Sequence, residues 1–451
     1  MSLKTAFSAP GKALLAGGYL VLDPTYSAYV VALSARMHAV IQGTASNATT
    51  ITVNSPQFAE GTWEFSAELT GASAYRAKSL KNVNPFLEAT ITVLLSYIQP
   101  TSHYNIEIII YSDDAFHSQD PEELAKNPTK RFHNHKEPIS KVPKTGLGSS
   151  AALVSVVTAA ILSHYKPELT KDFTTNRTAL DRIHFLAQLA HCTAQKKIGS
   201  GFDVASAVFG SIIYRRFVAS ILGDLTSFEK YEGPEYASLV QTLIDSTNWG
   251  VRTDPIGLPA GLSLLMGDIS GGSETPKLVS TVLQWRKDQP ERSLQVWTEL
   301  NNANMGLVSL LDKFQKLHES NPELYNTVIE EAKRKSGSEL STSNEVLLKE
   351  LANSFSQIRK GLKTMTLESG APIEPESQTV ILDESTKLPG VIGGVVPGAG
   401  GYDAICLLVA TDSVESIKKQ AAANPALQHV NWLDLHQENI GLACEDLNQY
   451  A

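Results

Sequence analysis

Three glycine-rich stretches carry residue types that do chemistry. Residues 143–152 read PKTGLGSSAA, where Gly146 and Gly148 let the backbone turn tightly and meet a ligand without a Cβ in the way. Ser149 and Ser150 then enter a helix whose first N–H groups, at the positive end of the helix dipole, form an anion site. The plain alternative is a Gly/Ser turn with a capping serine. It is not a Walker A loop, since no Gly-Lys-Ser/Thr follows, nor a dinucleotide fingerprint, since the third glycine and a preceding βαβ unit are missing. Near the start, Lys12 follows Pro10-Gly11 into an apolar run that reads as a buried strand, where lysine is rare without a partner. In residues 194–210, AQKKIGSGFDVASAVFG, Asp203 stands in a Gly/Ser turn ahead of small residues, either as a helix cap or as a functional carboxylate.

Strands joined by turns are expected over the first hundred residues, at 12–22 around a Gly17-Gly18 hinge, at 29–33 and at 51–53. Helical spacing over 84–98 and a compact strand at 106–111 follow. Residues 112–141 turn polar and proline-rich, which suggests a long surface excursion or lid. Helices are expected at 149–165 and 175–197, and a strand at 211–217. The second half has another texture. A strand at 262–269 leads through SGGSETPKLV into a mostly helical stretch over 288–368, broken near Pro290, Pro322 and Gly337. Strands at 391–396 and 404–410 flank the loop PGAGGYD, with a helix at 414–423 and a strand at 430–435. No fixed repeat is visible. Two halves of different pattern imply two α/β or α+β domains, divided as 1–228 and 229–451.

With 38 Lys+Arg against 47 Asp+Glu in 451 residues, the net charge of −9 argues against a general nucleic-acid binder but leaves room for a locally basic anion pocket. Cys192, Cys406 and Cys444 show no disulfide or zinc spacing, so a reducing cytoplasm is expected, and Cys192 reads as packing. The apolar run at 151–162 falls short of the roughly 20 residues of a membrane span. The first residues read poorly as a signal peptide, and NQYA is no retention or peroxisomal signal.

Together these segments resemble the galactokinase, homoserine kinase, mevalonate kinase and phosphomevalonate kinase (GHMP) superfamily, and within it the fungal-type phosphomevalonate kinases. The first motif is matched by Pro10-Gly11-Lys12 with Gly17-Gly18-Tyr19, the phosphate loop by Gly146 to Ala152, and the third motif by Pro397-Gly398-Ala399-Gly400-Gly401-Tyr402-Asp403. The subfamily signature lies in Ala190-His191-Cys192-Thr193-Ala194-Gln195 with Ile198 to Ala205, and in Gly267-Asp268-Ile269 running to Ser273-Glu274-Thr275 and Lys277-Leu278-Val279.

The resemblance spans essentially the whole chain. It implies a phosphotransferase taking ATP and (R)-5-phosphomevalonate to ADP and (R)-5-diphosphomevalonate, on the route to isopentenyl diphosphate and sterols, with no nucleic acid or membrane partner. It also implies an α+β, two-domain GHMP kinase fold, with a left-handed βαβ crossover in the N-terminal domain and a ferredoxin-like C-terminal domain. The implied catalytic pair is Lys12 and Asp203. The implied ATP-binding residues are Lys144, Thr145, Gly146, Leu147, Gly148, Ser149, Ser150 and Ala151, with Mg²⁺ held at Ser149 or Ser150. The substrate side would comprise Lys12, Tyr19, Ser200, Gly201, Ser273, Thr275, Lys277 and Gly400.

This chain departs from the wider superfamily at Gly18, where many members carry Glu, and on the helix before Asp203. There His191 and Gln195 stand where mevalonate kinases place a metal-binding glutamate. Mevalonate kinase, diphosphomevalonate decarboxylase and a non-catalytic metabolite sensor are the competing readings. The bland readings of nearby residues are a solvated loop for His117, His133 and His135, and helix-end charges for Lys196 and Lys197. Arg215 and Arg216 read equally as a surface pair or as phosphate ligands, and Lys141 and Lys144 as flanking charges.

Overall fold

A computed structural model describes residues 4–119, 121–126, 130–269 and 275–450. Strand β1 (Thr5–Ala16) pairs antiparallel with β2 (Ala28–Ala45), the long strand through a ten-stranded sheet. Next come β3 (Thr49–Asn54), β4 (Thr62–Ala67) and β5 (Ala77–Lys81), then helix α1 (Pro85–Ile98), and β6 (Tyr104–Ser112) returns between β2 and β3. β6 lies parallel to β3, so the chain must cross over, and α1 lies in that crossover. Asn84 starts α1 by accepting from the Phe86 and Leu87 amides, with Pro85 in the first turn.

Beyond a short helix α2 (Pro121–Lys126) come α3 (Ser149–Tyr165), α4 (Pro167–Thr170), α5 (Arg177–Gln195) and α6 (Phe202–Phe209). α3 packs on β1 and β2 and is flanked by α1 and α5. That position explains its nearly continuous apolar run, since Ala151 to Leu162 are buried but for Leu153. β7 (Ile212–Arg215), α7 (Gly233–Asp245) and β8 (Arg252–Pro255) follow.

The second sheet is built from β9 (Leu262–Asp268), then six helices, α8 (Thr275–Asp288), α9 (Pro290–Ser320), α10 (Pro322–Arg334), α11 (Gly337–Leu340), α12 (Val346–Ser369) and α13 (Glu376–Ser385). β10 (Val391–Val395), β11 (Ala404–Ala410), α14 (Val414–Ala423) and β12 (Asn431–Trp432) complete it. Its order, β10-β11-β9-β12 with antiparallel pairs, is the ferredoxin-like arrangement expanded by the helices after β9. β13 (Gln437–Glu438) and β14 (Ala443–Cys444) then rejoin the first sheet against β2 and β1.

Strand pairing moves the expected boundary at 228/229. α7 packs on α1 and β8 pairs with β7, so the first layer runs on to Pro255, and residues 437–444 return to it. A polar texture marked the change of composition but not of sheet. β1 also stops at Ala16, because Gly17 and Tyr19 take positive φ values of 99° and 62° and turn the chain into a short 3₁₀ segment, Leu20–Leu22. Among the described residues no helix is long and apolar enough to cross a membrane.

Candidate active site

A register shift between Pro10 and Gly11 interrupts the β1–β2 ladder just before Lys12, and such bulges re-aim the next side chain. The Lys12 amide donates to the Leu147 carbonyl at 2.9 Å and its ammonium to the Gly146 carbonyl at 2.7 Å. The ammonium also lies 5.6 Å from the centre of the Phe202 ring. Burial pulls its pKa below the ordinary lysine range, and the charge of Asp203 works against that pull. A Cβ on Gly148 would stand 3.2 Å from Lys12 Cε and 3.8 Å from Asp203 Cβ. Strand, loop and helix start therefore converge around Lys12.

Gly146 and Gly148 have φ of 76° and 84°, a left-handed backbone that a side chain resists. Gly148 is the N-cap of α3, without a side-chain cap bond, so the capping-serine alternative falls away for Ser149. Ser150 Oγ lies 3.1 Å from Nε2 of His191 on α5, and the Gln195 amide approaches the same nitrogen at 3.3 Å. Burial holds the His191 pKa down, Asp203 opposes and Lys197 adds to the lowering. The Gln195 amide nitrogen can only donate, so the Nε2 it approaches is an acceptor and takes the Ser150 hydroxyl as well. Gly201, with φ 82°, is the N-cap of α6. Asp203 is thus not the cap; its carboxylate sits in the first turn and accepts from the Val204 amide at 3.0 Å.

The other expected residues divide by what their atoms already touch. Thr145 is buried, its hydroxyl donating to the Ala115 carbonyl and its amide to Phe116 O at 3.3 Å, and Leu147 is buried beside it. Both anchor the loop. Lys144 is exposed. Tyr19 is buried and its hydroxyl donates to Ala399 O at 2.7 Å, closing the first motif onto the glycine loop of the second sheet. At the same seam a Cβ on Gly18 would come within 2.8 Å of Gly398 O, which leaves no room for the glutamate found in many superfamily members. The Ser200 carbonyl accepts from Tyr214 at 2.8 Å, and a Cβ on Gly201 would press on Gln188 Oε1 and Tyr214 Oη at 2.5 and 2.9 Å. Gly400 packs against the Ile373 carbonyl. Thr275 and Lys277 are exposed in the first turn of α8, and Ser273 lies outside the described residues.

Two cations considered for phosphate contact are engaged elsewhere. Arg216 is buried and donates to Leu22 O at 2.8 Å and Gly199 O at 2.9 Å, which ties the turn before Asp203 to the segment after the first motif. Lys141 pairs with Glu137 at 3.5 Å. Arg215 is exposed. The solvated-loop reading of the histidines fails for two of the three, because His117 and His133 are buried. His133 Nδ1 pairs with Asp114 at 2.6 Å, and His117 and His135 pack on Phe58. The supporting roles of Gln188, Tyr214 and Arg216 carry no sequence motif. Only the position of Arg216, shortly after the turn that holds Asp203, hinted at one. A groove of about 640 Å³ between α9 and α12 contains none of these residues.

The sequence profile of the GHMP kinases N terminal domain matches residues 126–211, the stretch holding the phosphate loop and Asp203. The chain is 47% identical over 453 residues to the phosphomevalonate kinase of Candida albicans, covering 99% of each. It is 36% identical to the phosphomevalonate kinase of Gibberella zeae, covering 100% of this chain and 99% of that one. In fold it is similar to a phosphomevalonate kinase from Streptococcus pneumoniae solved with phosphomevalonate and AMPPNP, with TM-score 0.59 and 16% identity, covering 97% of this chain and 100% of that one.

Proposed function

The chain belongs to the phosphomevalonate kinase family and transfers the terminal phosphoryl group of ATP to (R)-5-phosphomevalonate; within that reaction we propose that Lys12 bridges donor and acceptor phosphates and that Asp203 orients it. The reading rests on the 2.7 Å bond that holds the ammonium of half-buried Lys12 at the Gly146–Gly148 turn, with Asp203 as its nearest acidic influence. A phosphate oxygen of the acceptor attacks the γ-phosphorus, the bond to the β,γ-bridging oxygen breaks, and ADP leaves. Two polyanions repel as they meet, so the main task is to place positive charge and N–H donors between them. The acceptor's second pKa is about 6, so its attacking oxygen is already anionic at pH 7 and needs no strong base.

In this proposal the N–H groups of Ser149 and Ser150 at the start of α3 cradle the ATP phosphates, while the Ala151 amide, which donates to the Gly148 carbonyl at 3.1 Å, holds the turn beneath them. Lys144 steers nucleotide, and Thr275, Lys277 and Gly400 are assigned to the acceptor side, as is Ser273 by its motif alone. Tyr19, Ser200 and Gly201 act on the substrate by shaping the seam and the turn, since their polar atoms or contacts are already engaged.

A kinase of this kind uses a divalent metal, and we propose Mg²⁺ with Ser149 or Ser150. Among the described residues no group of three or more His, Cys, Asp or Glu is placed to hold a metal. That donor set fits an ion carried by the nucleotide, completed by a hydroxyl and waters, as Mg²⁺ prefers. When bound it would neutralise phosphate charge. Ser150 suits this role because a hydroxyl that donates to His191 keeps its oxygen lone pairs for a cation. We place the reaction in the cytoplasm, in keeping with three free thiols.

An ADP-release assay with mevalonate, phosphomevalonate and diphosphomevalonate as acceptors tests the reading. Turnover with phosphomevalonate alone is expected. Turnover with mevalonate alone would overturn the substrate assignment, and nucleotide binding without ADP release would leave a sensor.

A further inference from the structure

Among the described residues of 112–141, both 113–118 and Arg131 are fastened to the body, so these parts form a strap and not a free lid. At one end it holds the phosphate loop: Ser118 N donates to Pro143 O at 3.0 Å, His117 forms an antiparallel bridge with Lys144, and Thr145 bonds to Ala115 and Phe116. The turn at Asp114–Phe116 begins at Asp113, whose amide donates to Arg36 O at 3.0 Å and whose carboxylate accepts from Arg36 N at 2.9 Å. Arg131, further along the strap, donates to Asp113 Oδ1 at 3.3 Å.

At the other end the strap meets residues 449 and 450. Arg131 Nη1 donates to Gln449 Oε1 at 2.6 Å, and Arg131 Nη2 lies 3.3 Å from His38 Nε2. His38 Nδ1 in turn lies 2.8 Å from Tyr450 Oη, so the ring links Arg131 to Tyr450. The Tyr450 ring lies nearly parallel to those of Tyr111 and Phe132, at interplanar angles of 21° and 6°. Arg36 fixes the approach to this segment, donating to Gly441 O and lying 3.9 Å from Glu445.

We propose that Gln449 and Tyr450 are positioning residues for ATP, acting through Arg131, Asp113 and Thr145 on the pose of the Gly146–Gly148 turn. This rests on the loop's assignment to ATP. The path runs along the nucleotide side alone; none of its members touches Thr275, Lys277 or the Gly400 loop in any bond described above. Loosening it therefore weakens nucleotide and spares the acceptor.

Isothermal titration of AMPPNP into purified wild-type and variant protein, with steady-state kinetics in both substrates, tests this. Tyr450→Ala and Gln449→Ala are expected to weaken AMPPNP and raise the KM for ATP by about five- to tenfold, the effect of one lost hydrogen bond or ring contact on a binding pose. The KM for phosphomevalonate stays unchanged. Gln449→Glu, which keeps an acceptor for Arg131, restores wild-type binding. Equal rises in both KM values, or AMPPNP affinity unchanged in a folded Tyr450→Ala protein, would overturn the proposal alone. Wild-type protein that bound no nucleotide would overturn the loop's assignment and the proposal with it.

Discussion

Lys12 and Gly146, 134 positions apart in the chain, are joined by a 2.7 Å hydrogen bond from the ammonium to the carbonyl oxygen. The bond places a positive charge where burial disfavours it, as the downward pull on the Lys12 pKa records. A charge kept against that cost implies a gain elsewhere, and in the proposed mechanism that gain is stabilisation of the transferring phosphoryl group. Lys12→Met is expected to lower kcat by about a thousandfold, the upper range for a lost electrostatic donor. The same variant melts at a higher temperature near pH 7, because an ammonium held partly out of water is gone. A lower melting temperature would mean that the lysine is structural.

Asp203 influences both Lys12 and His191, so one carboxylate sets the field on two sides of the loop. If it orients rather than takes a proton, Asp203→Asn preserves most of the geometry. Its kcat is expected to fall only tenfold to a hundredfold, roughly the cost of slight misplacement. The pH–rate profile keeps its shape. A loss as large as that of Lys12→Met, following a single acidic pKa, would establish proton abstraction instead.

Local residue chemistry revealed the loop, Lys12 and Asp203, since tight turns and a lysine in an apolar strand are visible without partners. The long helices after β9 were also legible, because their 3.6-residue period is strong. Three things were not. β2 runs for 18 residues where only 29–33 looked like strand, because a central strand buried on both faces loses its alternation. The return of residues 437–444 to the first sheet depends on pairing with β1 and β2, more than 390 positions earlier, and leaves no periodic trace. Polar, proline-rich composition made 112–141 look solvated, whereas Arg131 is tied to Asp113 by charge and His133 Nδ1 lies 2.6 Å from an Asp114 carboxylate oxygen.

The seam between the two sheets leaves no room at Gly18, where a Cβ would stand 2.8 Å from the Gly398 carbonyl. Backbone cannot swing aside as a side chain can, so Gly18→Ala must part the seam that Tyr19 closes onto Ala399. Overpacking of this kind costs about 1–3 kcal/mol. Differential scanning calorimetry should find a lower melting temperature, and kcat should fall because the two halves of the cleft separate. An unchanged melting temperature would mean that the seam already yields without cost.

His184 and His117 are buried in the first layer, and burial, with Arg177 beside the one and His135 and Lys144 beside the other, pushes both pKa values down to about 3. Both ring nitrogens of His184 are unpartnered, and the ring packs against Phe185 and Phe209. In the unfolded chain each ring takes up a proton near pH 6.5. The stability owed to the neutral rings is therefore complete above about pH 6.5 and declines as the pH falls toward 3, by up to about 1.4 kcal/mol per pH unit for each ring. His184→Leu removes one proton from that slope and removes two unsatisfied nitrogens. Urea unfolding between pH 7 and 5 should give a flatter decline for the variant, and the two curves should differ most at the acid end. Parallel curves would show that His184 is already protonated in the folded protein.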